Sequence, residues 1–167
     1  RETFGRVSED KDEHRIRCSF PNLREYNWEG DVSPGISYQD MILYKVHVRG
    51  YTRQAKVAPK KRGTFAGLKE MIPYWKELGI NAVELMPAYE FMERSTVEPG
   101  KAMIRQKHHK DKVNYWGYLP GFYFAPKSAY CATKKPHKEF CDMVRAFHEA
   151  GIECIMEMYF PADTAPM

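Results

Sequence analysis

Leu68-Lys-Glu-Met71-Ile72-Pro73-Tyr-Trp75-Lys-Glu77-Leu78-Gly79-Ile80-Asn81-Ala-Val83 recurs without a gap as Phe140-Cys-Asp-Met143-Val144-Arg-Ala-Phe147-His-Glu149-Ala150-Gly151-Ile152-Glu153-Cys-Ile155, 72 residues further along. In each copy apolar residues fall at i, i+3, i+4 and i+7, one face of a helix. A Gly-Ile step closes the helix and a β-branched run follows it. Gly79 and Gly151 stand where a helix end needs a left-handed residue. Pro73 would break a helix that ran through it. The first copy is therefore predicted as a short turn ending near Met71 and a main helix that Pro73 opens at its first position. A helix feeding a strand, used twice, is the rhythm of a βα-repeat fold.

Working outward, both predicted strands read as buried. Asn81–Met86 and Glu153–Phe160 are mostly apolar without clean alternation, as in strands covered on both faces. Upstream, Asp40–Arg49 is a further strand, with Ile42, Tyr44, Val46 and Val48 on one face and Leu43, Lys45, His47 and Arg49 on the other. Residues 54–63 read as a basic loop, and Thr64 as an N-cap. Residues 1–39 are polar and irregular, and are expected to be the end of a preceding module plus a linker. Residues 40–167 would then be the N-terminal portion of the next domain.

Between the copies lies the long stretch from Pro87 to Pro136, with no helical period. Loops of that length inside a compact domain are usually functional. Its first half is basic, from Arg94 to Lys112. Its second half holds seven aromatics between Asn114 and Tyr130: Tyr115, Trp116, Tyr118, Phe122, Tyr123, Phe124 and Tyr130. Broken by Gly and Pro, they cannot all be buried in a small loop. Aromatic faces on a loop suit sugar rings, which are apolar on one face and polar at the rim.

The bulk numbers narrow the field. With 167 residues, 43% of them hydrophobic, the chain can fill one ordinary core. A net charge of +4 does not by itself imply nucleic acid, and the aromatics lie outside the charged run, so the interleaving of a nucleic-acid surface is missing. Cys18, Cys131, Cys141 and Cys154 show no CxxC spacing, and adjacent His108-His109 in a polar loop read as solvated surface. No metal and no cofactor is called for. No run of about 20 apolar residues marks a membrane span, and no membrane partner is expected. No signal peptide opens the chain, and a cytoplasmic location is expected. The chain starts at Arg1 without Met and stops just past a strand, so it is expected to be a fragment of something longer.

Several unusual strings carry a resemblance. The strand at 41–49 followed by Gly50-Tyr-Thr52, the run Gly63-Thr-Phe-Ala-Gly-Leu68 through Val83-Glu-Leu-Met-Pro87, the segment Tyr115-Trp-Gly-Tyr118 with Phe124-Ala-Pro126 and Tyr130, and Glu139 through Phe160 are collinear with glycoside hydrolase family 13. The branch resembled is that of pullulanases, isoamylases and glycogen debranching enzymes, over roughly residues 20–160. The resemblance implies an α/β fold, a partial (β/α)8 TIM barrel holding the first three strands, their helices and a long loop after the second strand. In such barrels the active site sits at the C-terminal ends of the strands. The family's three catalytic carboxylates come from later strands, so no catalytic residue is expected within this chain. The implied chemistry of an intact parent is retaining hydrolysis of an α-glucan by a pair of carboxylates, and the remainder of the barrel is required for it. Alone, a three-stranded piece with an open edge is expected to be poorly soluble or to self-associate.

The resemblance also assigns residues and marks departures. Tyr118 matches the tyrosine that stacks on the glucose beside the cleaved bond, loop packing being the plainer alternative. Trp116 and Tyr115 flank it, Trp116 as an anchor of the loop, and both complete the candidate substrate-side set with Glu157. The family's third strand ends in Asp followed by Asn-His. Here Glu157 stands for the Asp, and Pro161-Ala162 stands for Asn-His. On the first strand the family's Tyr-Glu pair is Tyr44-Lys45, a charge reversal beside His47. Glu84 and Glu90 read as structural carboxylates. The leading expectation is a piece of an α-glucan hydrolase, with an inactive glucan-binding relative as the alternative. A basic module for an anionic partner is the remote third.

Overall fold

The computed structural model describes residues 26–93 and 114–160. Three short parallel strands form its sheet: β1 (Leu43–Val46), β2 (Ala82–Leu85) and, further along, β5 (Glu153–Met156), in the order β1-β2-β5. Helices α1 (Val48–Tyr51), α2 (Phe65–Lys69), α3 (Ile72–Glu77) and α4 (Pro136–Glu149) connect them. A second, antiparallel pair is made by β3 (Tyr89–Glu90) and β4 (Phe122–Pro126).

The repeat is one helix ending built twice. After α3, Gly79 N–H bonds the Lys76 carbonyl (3.1 Å) and Ile80 N–H bonds that of Trp75 (2.9 Å). After α4, Gly151 N–H bonds the His148 carbonyl (2.9 Å) and Ile152 N–H bonds that of Phe147 (2.9 Å). Both glycines are left-handed, at φ 77° and 72°. This is the Schellman pattern, in which the residue after the glycine folds back on the third-last helical residue. Trp75, Ile80, Phe147 and Ile152 all belong to the core, and the rings of Trp75 and Phe147 meet edge to face at 5.4 Å. The motif therefore terminates each helix, aims the following strand and supplies core contacts together.

Details differ from the sequence expectation in three places. Pro73 is the second residue of α3, after Ile72, where the backbone N–H has no intrahelical partner to lose. β1 stops at Val46 instead of Arg49, because His47 turns the chain and caps α1, its ring accepting from Gly50 N–H (3.1 Å). β5 stops at Met156 instead of Phe160. Its neighbour β2 ends at Leu85, and Glu157 N–H to the Leu85 carbonyl (2.9 Å) is the last ladder bond before Pro87. Thr64 caps α2 as predicted, accepting from Gly67 N–H.

The helices cover one face of the sheet. Val46, Val83 and Leu85 are buried against Phe65, Leu68, Trp75, Met143 and Phe147. Residues before β1 lie against α4 and β5. Arg145 donates to the carbonyls of Asn27 and Glu29, His148 meets Asp31, and Glu153 accepts from Ser33 and from Ile36 N–H. The thiols of Cys131, Cys141 and Cys154 are free. Burial pushes Cys141 up to about 11 and Cys154 up to about 12, so neither is a nucleophile at neutral pH. No helix among the described residues is long and apolar enough to cross a membrane.

Candidate substrate-binding site

The site lies at the C-terminal ends of the parallel strands, under the aromatic segment. The β3–β4 pair brings that segment back after the chain has left β2. A buried lysine locks its base. Lys127 Nζ donates to Glu90 Oε1 and to the Phe91 carbonyl, both at 2.7 Å, and sits 4.2 Å from the centre of the Phe91 ring. The other oxygen of Glu90 accepts from Ser128 N–H (2.8 Å). Both charged groups are out of water, and every polar atom of the pair has a partner, which is what burial demands. Glu93 extends the lock to Arg49 (2.6 Å), whose guanidinium covers the Tyr130 ring. Burial alone would raise the Glu93 carboxyl, but Arg49 and Lys127 outweigh it and hold it below the usual range. Asn114 N–H bonds the Glu93 carbonyl (2.8 Å), closing the chain on itself there.

His47 fastens the loop to β1. Its Nδ1 accepts from Gly50 N–H, so the ring proton sits on Nε2 and is donated to the Tyr115 carbonyl (2.8 Å). The Tyr115 ring lies flat on the imidazole at 4.2 Å, and Trp116 meets it edge-on at 5.7 Å. Burial lowers the His47 pKa, outweighing the hydrogen bond to Tyr115, and this favours the neutral tautomer that the bonding pattern needs. Gly117 is left-handed at φ 78°, and a side chain there would run into the Phe91 ring. Tyr89 hydroxyl donates to the Leu119 carbonyl (2.8 Å).

Of the predicted residues, Tyr118 and Glu157 are brought together. The Tyr118 hydroxyl stands 3.1 Å from both carboxylate oxygens of Glu157. Lys45 Nζ reaches the same carboxylate at 2.8 Å and Glu84 at 3.4 Å. The hydrogen bond to Glu157 holds the Lys45 ammonium above the ordinary lysine range. Burial, then the Glu157 bond, raises the Tyr118 phenol. Trp116 is 54% exposed and Tyr118 38% exposed, while Tyr115 is half-buried as the support beneath them. Phe122 and Phe124 are exposed on β4.

Chemically, this end of the sheet offers ring faces bordered by a hydroxyl, two carboxylates and an ammonium. A carboxylate shared by an ammonium and a phenol is committed as an acceptor. No group of three or more His, Cys, Asp and Glu able to hold a metal occurs among the described residues. Pro161-Ala162, His108-His109 and the basic stretch 101–112 lie outside the described residues.

Two contributors escaped the sequence reading. Lys45 stood out only as a charge reversal. The signal was its parity with Glu84, since the two are register partners on adjacent strands. Lys127 was not singled out at all, although a lone lysine after Pro126 in an apolar segment asks for a buried partner.

No protein-family model matches the chain. A glycogen operon protein GlgX homolog of Haemophilus influenzae is 38% identical over 141 residues, 81% of this chain and 20% of that protein. Isoamylase 1, chloroplastic, of Arabidopsis thaliana is 34% identical over 151 residues, 86% of this chain and 19% of that protein. The chain thus spans about a fifth of the curated relatives it matches. Among solved structures, the catalytic module of the glycogen-degrading pneumococcal virulence factor SpuA superposes with a TM-score of 0.66 at 20% identity, covering 89% of this chain and 22% of that one. A Paenibacillus barengoltzii pullulanase in complex with maltohexaose and alpha-cyclodextrin gives 0.63 at 23% identity, covering 84% and 24%. At such identities the likeness speaks for the fold alone, an α/β piece of a larger barrel. The sequence matches are what establish that the chain belongs to the debranching-type branch of glycoside hydrolase family 13.

Proposed function

We propose that the chain is the N-terminal part of the catalytic barrel of an α-glucan debranching hydrolase. In this reading β1, β2 and β5 are the first three barrel strands, and the barrel domain begins near residue 40. The segment around Tyr118 is the sugar-facing loop. The intact protein would open α-glucosidic bonds of glycogen, starch or pullulan with retention, using carboxylates from strands beyond this chain. Tyr118 and Trp116 supply ring faces, Tyr115 supports them, and Glu157 fixes the rim. A cytoplasmic site of action belongs to the same proposal. The observation that carries it is the coincidence of two facts. The chain matches an isoamylase and a glycogen debranching enzyme over four-fifths or more of its length, and its exposed Trp116 and Tyr118 stand at the strand ends where such barrels bind substrate.

The test is the intact protein assayed on glycogen and pullulan for release of reducing ends. Turnover supports the proposal. Glucan binding without turnover replaces it with the second reading, an inactive relative that binds glucan. That reading is favoured by Pro161-Ala162 standing where the family has Asn-His. Neither binding nor turnover defeats both.

A further inference from the structure

We propose that Lys45 is a positioning residue for glucan binding: acting through Glu157, it fixes the orientation of the Tyr118 ring. This rests on the reading of Tyr118 as a sugar platform given above, and deepens it.

The geometry runs in one line across three elements. Tyr118 is 38% exposed on a loop, and its nearest ring neighbour, Tyr159, stands edge-on 6.4 Å away, too loose a contact to fix a ring. What holds the ring is the hydroxyl, equidistant from both oxygens of Glu157. Glu157 itself lies past the end of β5, where its backbone N–H makes the last ladder bond. Its carboxylate is held from across the sheet by Lys45 on β1, 112 residues away in sequence.

Lys45 also keeps two like charges in one place. Glu84 and Glu157 both contact its ammonium, so their nearest oxygens are roughly 6 Å apart at most. Without the cation between them they would repel, and a like charge at that range disfavours the ionised, aligned pair. Glu84 is fixed in the middle of the sheet, whereas Glu157 is on an irregular segment. Glu157 is therefore the one to swing away, and the Tyr118 hydroxyl loses its acceptor. A stacking ring turned by a fraction of its face no longer meets the sugar, although nothing in the core has moved.

The test measures maltohexaose affinity and melting temperature in the intact protein for Lys45→Met, Lys45→Arg, Tyr118→Phe and the double variant Lys45→Met/Tyr118→Phe. Lys45→Met is expected to weaken binding about tenfold, the scale of a lost charge-assisted hydrogen bond, with an unchanged melting temperature. Lys45→Arg keeps the ammonium's role and binds within about twofold of wild type. In the Tyr118→Phe background, Lys45→Met adds no further loss, since the hydroxyl through which it acts is gone. Wild-type affinity in Lys45→Met, or the same loss in both backgrounds, overturns the inference while leaving the proposed function intact. A wild-type protein that binds no maltohexaose overturns both. If Lys45→Met does not fold, Glu157→Gln is measured in its place. It is expected to weaken binding, and wild-type affinity there overturns the inference equally.

Discussion

The two faces of the sheet are built from the same three strands and share almost nothing else. On the helix side Val46, Val83 and Leu85 are at most 2% exposed, packed on large rings. On the other side Leu43 is 47% exposed, and Lys45, Glu84 and Glu157 gather into a charged cluster. Parallel strands are ordinarily covered on both faces. The difference teaches that folding is assigned to one side of the sheet, and that the proposed binding residues stand on the other. The helix face can be completed from within the chain. The other face, in the proposed barrel, is completed by strands this chain does not supply.

The strongest way to break that contrast is to put a charge on the helix face. Val83→Asp would bury a carboxylate among apolar side chains and is expected to cost about 4 kcal/mol or more, enough to prevent folding. Circular dichroism showing a native-like cooperative melt would contradict it. Next comes the buried lock below the aromatic loop. Lys127→Met leaves Glu90 buried and unpaired, and is expected to cost about 3–5 kcal/mol by chemical denaturation. Adding Glu90→Gln should recover part of that loss, and failure to do so would argue against the pair as its source.

A smaller effect is expected from pH at the join between β1 and the loop. His47 is depressed below its ordinary value of 6.5 in the folded state. The unfolded chain therefore takes up the proton first, so this contribution is whole above about pH 6.5 and is lost as pH falls through the folded value. Arg49, beside the ring, opposes protonation further. Thermal melts between pH 7.5 and 5 should show a decline that His47→Gln reduces, and equal slopes in both proteins would remove His47 as its cause. The smallest effect is the mirror of the first. Leu43→Asp places the same charge on the open face and should change the stability of the 167-residue chain by no more than about 0.5 kcal/mol. It should also raise the soluble fraction, since it blunts an apolar patch at a sheet edge. In the intact protein the same substitution should be costly, and a neutral result there would count against closure of a barrel over this face.

Sequence reading succeeded where structure is local. The repeat could be read because a Schellman ending is written in a handful of consecutive residues, and Trp75–Ile80 and Phe147–Ile152 each contain all of it. Thr64 and the two left-handed glycines follow for the same reason. Strand lengths could not be read, because a strand ends where its partner does. The largely apolar run after Gly151 goes on to Phe160, but β5 keeps its pairing only to Met156, opposite the last residue of β2. The candidate site divides along the same line. Tyr115, Trp116 and Tyr118 announced themselves as a cluster within four residues. The ion pair of Lys45 with Glu157 depends on the fold bringing β1 and the end of β5 to within a side chain of each other. For Lys127 the apolar segment around it hinted at burial, but its partner Glu90 lies 37 residues away in sequence and only the fold names it.

The bond between Asn114 and Glu93 has a practical meaning for protein engineering. Each end of this junction is anchored on its own account, Glu93 by Arg49 and Asn114 by Gly117 N–H on its side-chain oxygen. The two points are neighbours in space although 20 residues separate them in sequence. They form a docking port in the chain itself. A segment of different length or chemistry spliced between them has no gap to bridge, and its closure cost grows only with the logarithm of its length. Variants that differ between these two residues can therefore be exchanged as cassettes, while the aromatic loop, the lock and the sheet beneath it stay as they are.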